Sequence, residues 1–332
     1  MGNVGNRAAS GAQWTIAADG HEAVVVEVGG GLRAYRHDEV DYLDGYEADE
    51  LCPGSAGQVL APWPNRIRDG AYTVGDRSLQ LNLTEPARHN AIHGLVNWVP
   101  WHLVERSAES VTVGYNLPPS PGYPWALRLR TRWSVGADGL RAEHEVTNLA
   151  GEAVPFGFSV HPYLRLPKVS VDELSLRVPG RSRMLLDGRL LPIGVAEVTG
   201  TEYDFTKPRP IGDAVLDLAF GDVVRDADGG SAVTLSAPEG SLRRLQLGAS
   251  DAAPRPEAVA VHVWADREFG WWQIFTGDTL TGERHRRSVA VEPMTCPADA
   301  FRSGRDLIVL DPGETWRGAW GIRPEPVAAV AG

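Results

Sequence analysis

The amino-acid sequence predicts an all-β fold, a sandwich or a barrel made of many short strands. Apolar and polar residues alternate with a period of two in one segment after another, as in strands that bury one face. Turn signals, among them Asp-Gly pairs, separate these segments. No amphipathic helical pattern longer than two turns lies between them, which argues against alternating β-α-β units.

The clearest prediction is a hairpin in the middle of the chain. From Leu127 to Trp133 apolar side chains alternate with three arginines, and a second alternating run follows from Leu140 to Val146, after a Gly-Ala-Asp-Gly turn. Other Asp-Gly turns begin at Asp19, Asp69, Asp187 and Asp228. Further strands are predicted at residues 23–28, 78–83, 111–117, 231–236, 241–247, 259–264, 271–275, 288–291 and 306–310.

Length and composition predict one domain over residues 1–332. All-β domains often exceed about 200 residues. No linker divides this chain, and the proline-rich stretch at 118–124 is short, with similar composition on both sides. Only the tail at residues 324–332, rich in alanine, valine and proline, is expected to be loosely held.

The charge and the cysteine content exclude several classes of function. A net charge of −11 disfavours nucleic acid and, more weakly, a membrane surface as the main partner, which leaves a small neutral molecule. Cys52 and Cys296 alone form neither a disulfide framework nor a zinc ribbon. With no signal-peptide pattern and no apolar run of membrane-spanning length, we expect a cytoplasmic protein.

Four polar patches interrupt the strands and turns, and two lie in the first third of the chain. In Trp63–Ile67 a proline turn would hold the planar guanidinium of Arg66 for hydroxyl or carboxylate recognition, although a surface arginine is the commoner outcome. His89 and His93 have the spacing of a helical metal pair, but nearby Pro and Gly residues oppose a helix, so no metal is expected. The glycine at 94 permits close backbone approach, whereas His93 alone predicts a structural histidine.

The other two patches suit acid–base chemistry. His161 ends an apolar run, where burial favours a neutral imidazole with a tuned proton affinity; a core histidine at a strand end is the alternative. Glu292 follows a strand that reads as buried, and Pro293 is expected to end that strand. A buried carboxylate must be paired or functional. A structural salt bridge is possible, but Glu292 is the best candidate in the chain for a general base.

At these four patches the sequence resembles the aldose 1-epimerase (galactose mutarotase) family, over roughly residues 55 to 322. The matching segments are Asn65-Arg66-Ile67 with Gly70 and Tyr72, His93-Gly94, His161-Pro162-Tyr163, Phe275-Thr276-Gly277, Glu292-Pro293, residues 297–301 and residues 310–314. The resemblance implies a large antiparallel β-sandwich with few short helices and one open face that holds a monosaccharide. It also implies an isomerase that uses neither a cofactor nor a metal.

The resemblance assigns a role to each matching residue. Glu292 would take the proton of the anomeric hydroxyl and His161 would protonate the ring oxygen, so we expect the two side chains to face each other across a sugar-sized hollow. The expected sugar-binding residues are Asn65, Arg66, His93 and Tyr163. A binding aspartate is also expected, and Asp217 is the nearest candidate, with Asp213 and Asp222 as alternatives.

A first alternative is an enzyme of the same fold that acts on a sulfonated, phosphorylated or deoxy sugar. Residues 266–275, with two tryptophans, differ from the shorter polar version of galactose-acting members, so the sequence leaves the sugar open. An anionic substrate would require a further cation in the pocket. Arg68, Arg165 and the arginines of 284–287 are available, although such residues are more often solvated.

A non-catalytic sugar-binding module and a glycosidase represent two different classes of function. The binding module would not need both Glu292 and His161. The glycosidase needs two positioned carboxylates, and the sequence offers only Glu292 in such a setting. The aromatic faces of Trp63, Trp98 or Trp272 could stack on a sugar, but for each of them a place in the core is the commoner outcome.

Overall fold

The computed structural model describes residues 8–237 and 258–326, and it confirms the all-β class. Within these ranges the helical structure consists of three 3₁₀ turns and one short helix, α1. The turns are Pro53–Ser55, Pro86–Arg88 and Gly282–Arg284, and α1 is Ala300–Ser303. No helix in the described part of the chain is long and apolar enough to cross a membrane.

The strands are short and follow one another closely along the chain. The first fourteen are β1 (Gln13–Ala18), β2 (His21–Val26), β3 (Leu32–His37), β4 (Val40–Asp41), β5 (Val59–Leu60), β6 (Arg66–Arg68), β7 (Ala71–Val74), β8 (Arg77–Gln80), β9 (Asn90–Ile92), β10 (His102–Arg106), β11 (Ser110–Leu117), β12 (Leu127–Gly136), β13 (Gly139–Asn148) and β14 (Val154–Phe156). The others are β15 (Ser159–Val160), β16 (Tyr163–Leu164), β17 (Ser175–Arg177), β18 (Gly180–Leu186), β19 (Pro192–Glu197), β20 (Arg209–Pro210), β21 (Asp217–Val223), β22 (Ser231–Ser236), β23 (Ala258–Ala265), β24 (Trp271–Phe275), β25 (Val289–Met294), β26 (Ile308–Leu310) and β27 (Thr315–Pro326).

Two large antiparallel sheets dominate the architecture. A nine-stranded sheet has the order β10-β11-β12-β13-β27-β23-β22-β17-β20. An eight-stranded sheet has the order β19-β18-β21-β24-β25-β15-β5, with β16 also paired to β25. The first four strands form a sheet of their own, and β6-β9, β7-β8 and β14-β26 form two-stranded ribbons.

The core lies between the two large sheets. Trp133 and Trp320 of the nine-stranded sheet belong to the same buried cluster as Trp272 and Ile274 of the eight-stranded sheet, so the two sheets are the layers of a β-sandwich. Every residue of β24 and β25 is buried. Because side chains alternate along a strand, these two strands are covered on both faces, one of which packs on the core.

The central hairpin confirms the period-two prediction. Its strands β12 and β13 pair in continuous register from Leu127 opposite Asn148 to Gly136 opposite Gly139, and the arginines of β12 point to solvent. The runs predicted at 231–236 and 271–275 match β22 and β24 residue for residue. The run predicted at 241–247 lies outside the described residues.

Two expectations require correction. Residues 324–326 belong to β27, so the loosely held tail does not begin at 324; residues 327–332 are outside the described range. Pro293 does not end the strand that contains Glu292, because β25 continues to Met294 and Pro293 pairs with Trp272 of β24.

Candidate active site

One cavity contains side chains from all four polar patches that the sequence analysis selected. Its volume is about 240 Å³. That lies below the roughly 300–1,000 Å³ of sites for drug-sized ligands, so it suits a smaller molecule. Its wall includes all seven predicted residues: Asn65, Arg66, His93, His161, Tyr163, Asp217 and Glu292.

Strand register brings the predicted acid–base residues together on the outer face of the eight-stranded sheet. Gln273 of β24 lies opposite Glu292 of β25. On the other side of β25, Ser159 pairs with Met294 and Tyr163 pairs with Ala290, so the same register carries His161 to the position opposite Glu292. Residues that are distant in sequence thus form a polar row across adjacent strands, because i and i+2 positions share a face.

The ladder between β25 and its neighbour is interrupted beside this row. Pro293 has no backbone N–H to donate toward Val160, and the hydroxyl of Ser159 instead donates to the carbonyl oxygens of Val160 and Pro293, at 3.2 and 2.9 Å. His161 lies between the short strands β15 and β16. The pairing of β25 with β15 and β16 is therefore interrupted where His161 contacts Glu292.

His161 and Glu292 lie side by side. The imidazole Nε2 is 3.3 Å from the carboxylate Oε1, and the residues are only 5% and 2% exposed. The expectation that they face each other across a hollow is therefore wrong: both line the cavity from the same sheet, because cross-strand neighbours project in the same direction.

Burial changes the proton affinity of both groups. Removal from water disfavours the charged carboxylate and raises the pKa of Glu292 well above its usual value; the negative charge of Asp217 adds to this and Arg66 opposes it. Burial, with a smaller contribution from Arg66, lowers the pKa of His161 to about 4. The imidazole of His161 is therefore neutral at neutral pH.

Neighbouring aromatic side chains fix the His161 ring. The ring of Tyr163 stacks on it at 4.9 Å between centroids, and the Tyr163 hydroxyl donates to the carbonyl oxygen of Gly54 at 3.1 Å. The ring of His93 meets it edge-on at 5.4 Å. Tyr163, expected to bind the sugar, thus also orients the histidine.

Three buried polar atoms of the cavity residues have no hydrogen-bond partner among the described residues. They are Nδ1 of His93, Nδ1 of His161 and Oε2 of Glu292. Buried polar atoms are nearly always satisfied in folded proteins, so their concentration here indicates a place where a polar ligand supplies the partners.

Arg66 is a buried residue of the cavity wall and not a surface arginine. Its Nε and Nη2 donate to the two carboxylate oxygens of Glu85 at 2.9 and 3.0 Å, a bidentate pair. Asn65 adopts a left-handed conformation, and its side-chain oxygen accepts from the backbone N–H of Arg66 at 2.9 Å. Glu85, which also lines the cavity, escaped sequence reasoning because no motif surrounds it.

Asp217 is the aspartate that reaches the cavity, whereas Asp213 and Asp222 are exposed and lie outside its wall. Gln273 donates to the Asp217 carboxylate at 2.6 Å. Burial raises the pKa of Asp217 despite this bond and the charge of Arg66. With Glu85 and the half-buried Asp217 in the same wall as Glu292, the statement that the sequence offers only one positioned carboxylate is corrected.

A close backbone contact positions His93. Gly94 has a φ of +76°, and a Cβ at this position would lie 2.0 Å from the carbonyl oxygen of Ala61. His89 lies outside the cavity wall, and its Nδ1 is 2.9 Å from a carboxylate oxygen of Asp69, so His89 and His93 do not act together. Among residues 8–237 and 258–326, no group of three or more His, Cys, Asp or Glu side chains is arranged to hold a metal.

The three tryptophans named as possible stacking surfaces for a sugar lie in the core or at the surface. Trp63 and Trp272 are buried in the core and Trp98 is half exposed, and the cavity wall contains none of the three. The apolar part of that wall is formed by Tyr163, Phe275 and Leu280.

The arginines named for an anionic ligand have other partners. Arg68 contacts Asp187 and Asp299, Arg165 pairs with Asp41, and Arg284, Arg286 and Arg287 pair with acidic residues of neighbouring loops. A cation that the sequence analysis did not name, Arg88, lines the cavity instead.

Comparison with known proteins agrees with the fold and with the family that the sequence resembles. A family model for aldose 1-epimerases matches residues 12–323. The uncharacterized protein YihR of Escherichia coli K12 is 32% identical over 313 residues, which cover 94% of this chain and 93% of YihR. A galactose mutarotase-like protein from Clostridium acetobutylicum superposes with a TM-score of 0.78 at 19% identity, covering 94% of this chain and 95% of that one. For the galactose 1-epimerase of Lactobacillus acidophilus the TM-score is 0.73 at 20% identity, with 94% of each chain covered. At these identities the two structures establish the shared β-sandwich fold.

Proposed function

The chain belongs to the aldose 1-epimerase family, and from this premise we propose that it is a mutarotase that interconverts the α and β anomers of a free aldose. The observation that carries the proposal is the contact of His161 with Glu292 at 3.3 Å, in the wall of a cavity of about 240 Å³. The substrate is a monosaccharide, and the reaction is an acid–base reaction that requires no redox cofactor.

The arrangement of the pair fits the chemistry of a hemiacetal. The two oxygens that exchange protons, O1 and O5, are bonded to the same carbon, so an acid and a base that serve them must lie close together. Between the lowered pKa of His161 and the raised pKa of Glu292 the shared proton rests on Glu292, so the reactive form is the tautomer in which this proton has moved across the 3.3 Å contact to His161. From that form Glu292 takes the proton of O1 while His161 gives its proton to O5, and the C1–O5 bond breaks. After rotation about C1–C2 the aldehyde recloses with both transfers reversed. Each such transfer contributes about 10²–10⁴-fold to the rate.

This exchange requires the pair to hold one proton between its two members. The pKa of His161 is lowered to about 4 and that of Glu292 is raised by burial. Below about pH 4 both groups are protonated and no base remains; above the raised pKa of Glu292 no proton remains to be given. The active form lies between these limits, which produces a bell-shaped dependence of the rate on pH.

The other cavity residues bind the sugar hydroxyls. Arg66 and Asn65 lie on one wall, Asp217 on the sheet, and His93 presents an unpartnered Nδ1. The apolar surfaces of Phe275 and Leu280 can contact the carbon face of the ring.

The direct experiment is anomeric exchange measured by NMR for a panel of free aldoses with the wild-type protein. We expect exchange above the spontaneous rate for at least one aldose. Tight binding of one anomer without faster exchange would instead support a non-catalytic sugar-binding module. Because Asp217 adds a second carboxylate, the panel includes nitrophenyl glycosides, and release of nitrophenol would support a glycosidase.

A second candidate is a mutarotase for an aldose with an anionic substituent, and Arg88 is the observation that favours it. Arg88 lines the cavity and donates to Glu85 at 2.9 Å. Glu85 is already held by the bidentate contact with Arg66, so Arg88 is a further cation of the cavity wall, and its charge also acts on the carboxylate of Asp217, whose pKa it lowers. The test compares neutral aldoses with sulfonated and phosphorylated ones for the wild-type protein and for Arg88→Gln. A loss restricted to the anionic sugars would support this candidate.

A further inference from the structure

Arg189 lies outside the cavity wall, at the tip of the hairpin formed by β18 and β19, the last two strands at one edge of the eight-stranded sheet. The tip, residues 187–191, is held by Asp187, whose carboxylate accepts from the backbone N–H groups of Arg189 and Leu191 at 2.8 and 3.0 Å. Leu191 is fully buried. The tip is thus anchored independently of the Arg189 side chain.

The Arg189 side chain spans from this tip to a segment about a hundred residues earlier. Its Nε donates to the carbonyl oxygen of Arg88 at 2.9 Å, and its Nη2 donates to the carbonyl oxygen of His89 and to a carboxylate oxygen of Asp69, both at 2.7 Å. In return, the side-chain amide of Asn90 donates to the carbonyl oxygen of Arg189 at 3.2 Å. Arg189 therefore satisfies the carbonyls that end the 3₁₀ turn, as a basic side chain does at a helix C-terminus.

The segment that Arg189 holds is one wall of the cavity. Residues 85–90 form a closed loop, in which the backbone of Glu85 pairs with that of Asn90. The side chain of Asn90 also donates to the Glu85 carboxylate at 2.9 Å. Glu85 in turn orients the Arg66 guanidinium, and Arg88 projects from the same loop into the cavity. Displacement of this loop would move both cavity arginines.

From these contacts we propose that Arg189 is a positioning residue for the sugar-binding wall: it fixes the 85–90 loop and, through it, the guanidinium groups of Arg66 and Arg88. The inference rests on the proposed function, because it assigns that wall to the sugar. Arg189 does not touch the Glu292–His161 pair. Its loss is therefore expected to weaken substrate binding and to leave proton transfer intact.

The test compares Arg189→Met with Arg189→Lys and with a control in the same hairpin, Arg183→Met. Arg183 stacks on Tyr203 at 3.8 Å and does not contact the 85–90 loop, so its loss affects the hairpin without affecting the wall. Lysine retains the charge but not the planar fork of donors. We expect KM to rise at least about tenfold in Arg189→Met, since small misplacements can cost up to about 10²-fold. We expect a smaller rise in Arg189→Lys and none in Arg183→Met, with kcat and its pH profile unchanged in all three.

Amide hydrogen exchange supplies a readout that needs no sugar. The amides of Glu85 and of residues 87–90 are expected to exchange faster in Arg189→Met than in the wild-type protein or in Arg183→Met. Unchanged exchange there, or an equal KM increase in Arg183→Met, would overturn the positioning role. If Arg189→Met does not fold, Arg189→Lys decides by the same two measurements. Absence of anomeric exchange by the wild-type protein would overturn the proposed function instead, and the hydrogen-exchange result would still decide the role of Arg189.

Discussion

Glu292 shares its cavity with the carboxylates of Asp217 and Glu85, and the charge of Asp217 sets part of the proton affinity of Glu292. Burial is the larger cause of the raised pKa of Glu292, and the negative charge of Asp217 raises it further. In the proposed mechanism Glu292 takes and gives a proton in each cycle, so the charge of Asp217 would influence the chemistry without contact with the His161–Glu292 pair. The role that we propose for Asp217 therefore includes tuning as well as sugar binding.

Asp217→Asn is expected to shift the alkaline limb of the kcat–pH profile to lower pH. The substitution removes a charge that raises the pKa of Glu292, so the pair loses its shared proton at a lower pH. The asparagine oxygen can still accept from Gln273. Asp213→Asn and Asp222→Asn serve as controls, since both aspartates are exposed outside the cavity. A limb that stays in place, or moves to higher pH, would contradict this interpretation.

The residues that sequence reasoning found and missed differ in their local context. His161 and Glu292 stand in short motifs beside prolines at the ends of apolar runs, which made them visible. Gln273 could also have been found from the sequence, because it is a single polar residue inside the apolar run 271–275. Glu85 and Arg88 carried none, because their importance arises from contacts with Arg66 and Arg189 that only the folded chain creates.

At the scale of elements, one backbone contact joins the segment after β5 to the segment after β9. Gly94 lies against the carbonyl of Ala61, and the N–H of Leu95 donates to that carbonyl oxygen at 2.7 Å. The contact fixes where His93 enters the cavity. A side chain at position 94 would have to displace one of the two segments.

Gly94→Ala is therefore expected to weaken sugar binding and to lower the free energy of unfolding. The loss of stability should exceed the cost of placing an alanine in a left-handed conformation. Gly200→Ala is the matched control: its φ of +74° is similar to that of Gly94, but a Cβ there meets nothing within 4 Å. A left-handed alanine costs about 1–2 kcal/mol. Denaturant unfolding should show that cost alone for Gly200→Ala, with KM unchanged, and a larger loss with raised KM for Gly94→Ala. Equal effects of the two substitutions would show that the contact with Ala61 is not critical.

The nine-stranded sheet contains a buried histidine that links three adjacent strands. His144 of β13 lies between Thr131 of β12 and Trp320 of β27, at 2.9 Å from each. Because an indole can only donate, Trp320 donates to Nε2 of His144, and Nδ1–H donates to the Thr131 hydroxyl. Burial lowers the pKa of His144 to about 3, so its neutral form maintains both bonds at neutral pH.

His144 should make the protein less stable as the pH falls. Its pKa is lower in the folded than in the unfolded chain, so the unfolded chain takes up the proton first, and stability is lost between about pH 6.5 and pH 3. At pH 5 this loss amounts to about 2 kcal/mol. His144→Gln lacks this titration. From pH 7 to pH 5 the free energy of unfolding of the wild type should therefore fall by about 2 kcal/mol more than that of the variant. A difference that is the same at both pH values would contradict the buried neutral state.

Local elements were predictable and long-range pairings were not. The β12–β13 hairpin follows from alternation and a tight turn within about twenty residues. The pairing of β25 with β15 and β16 joins segments more than a hundred residues apart, and no local pattern specifies it. For the same reason the prediction that Pro293 ends its strand was wrong. The proline is tolerated inside β25 because the neighbouring ladder is already interrupted at His161.

At the scale of the whole molecule, the eight-stranded sheet has two roles. One face of β24 and β25 completes the core and the other forms the floor of the cavity, so Trp272 and Ile274 point inward while Gln273 and Phe275 point outward. This double burial explains why the sequence of these strands is apolar almost throughout and does not alternate. The sequence predicted the β class and the family. The strand order and the side-by-side arrangement of acid and base required the tertiary structure.

The central claim is that Glu292 and His161 act as one proton-exchanging pair, and the most direct test is NMR measurement of anomeric exchange for Glu292→Gln and His161→Asn. Each variant is expected to lose about 10²-fold or more of the acceleration while its thermal unfolding stays close to that of the wild type. Glu105→Gln, an exposed position on β10, is the control and should keep full activity. Near-wild-type exchange in either folded variant would contradict the claim.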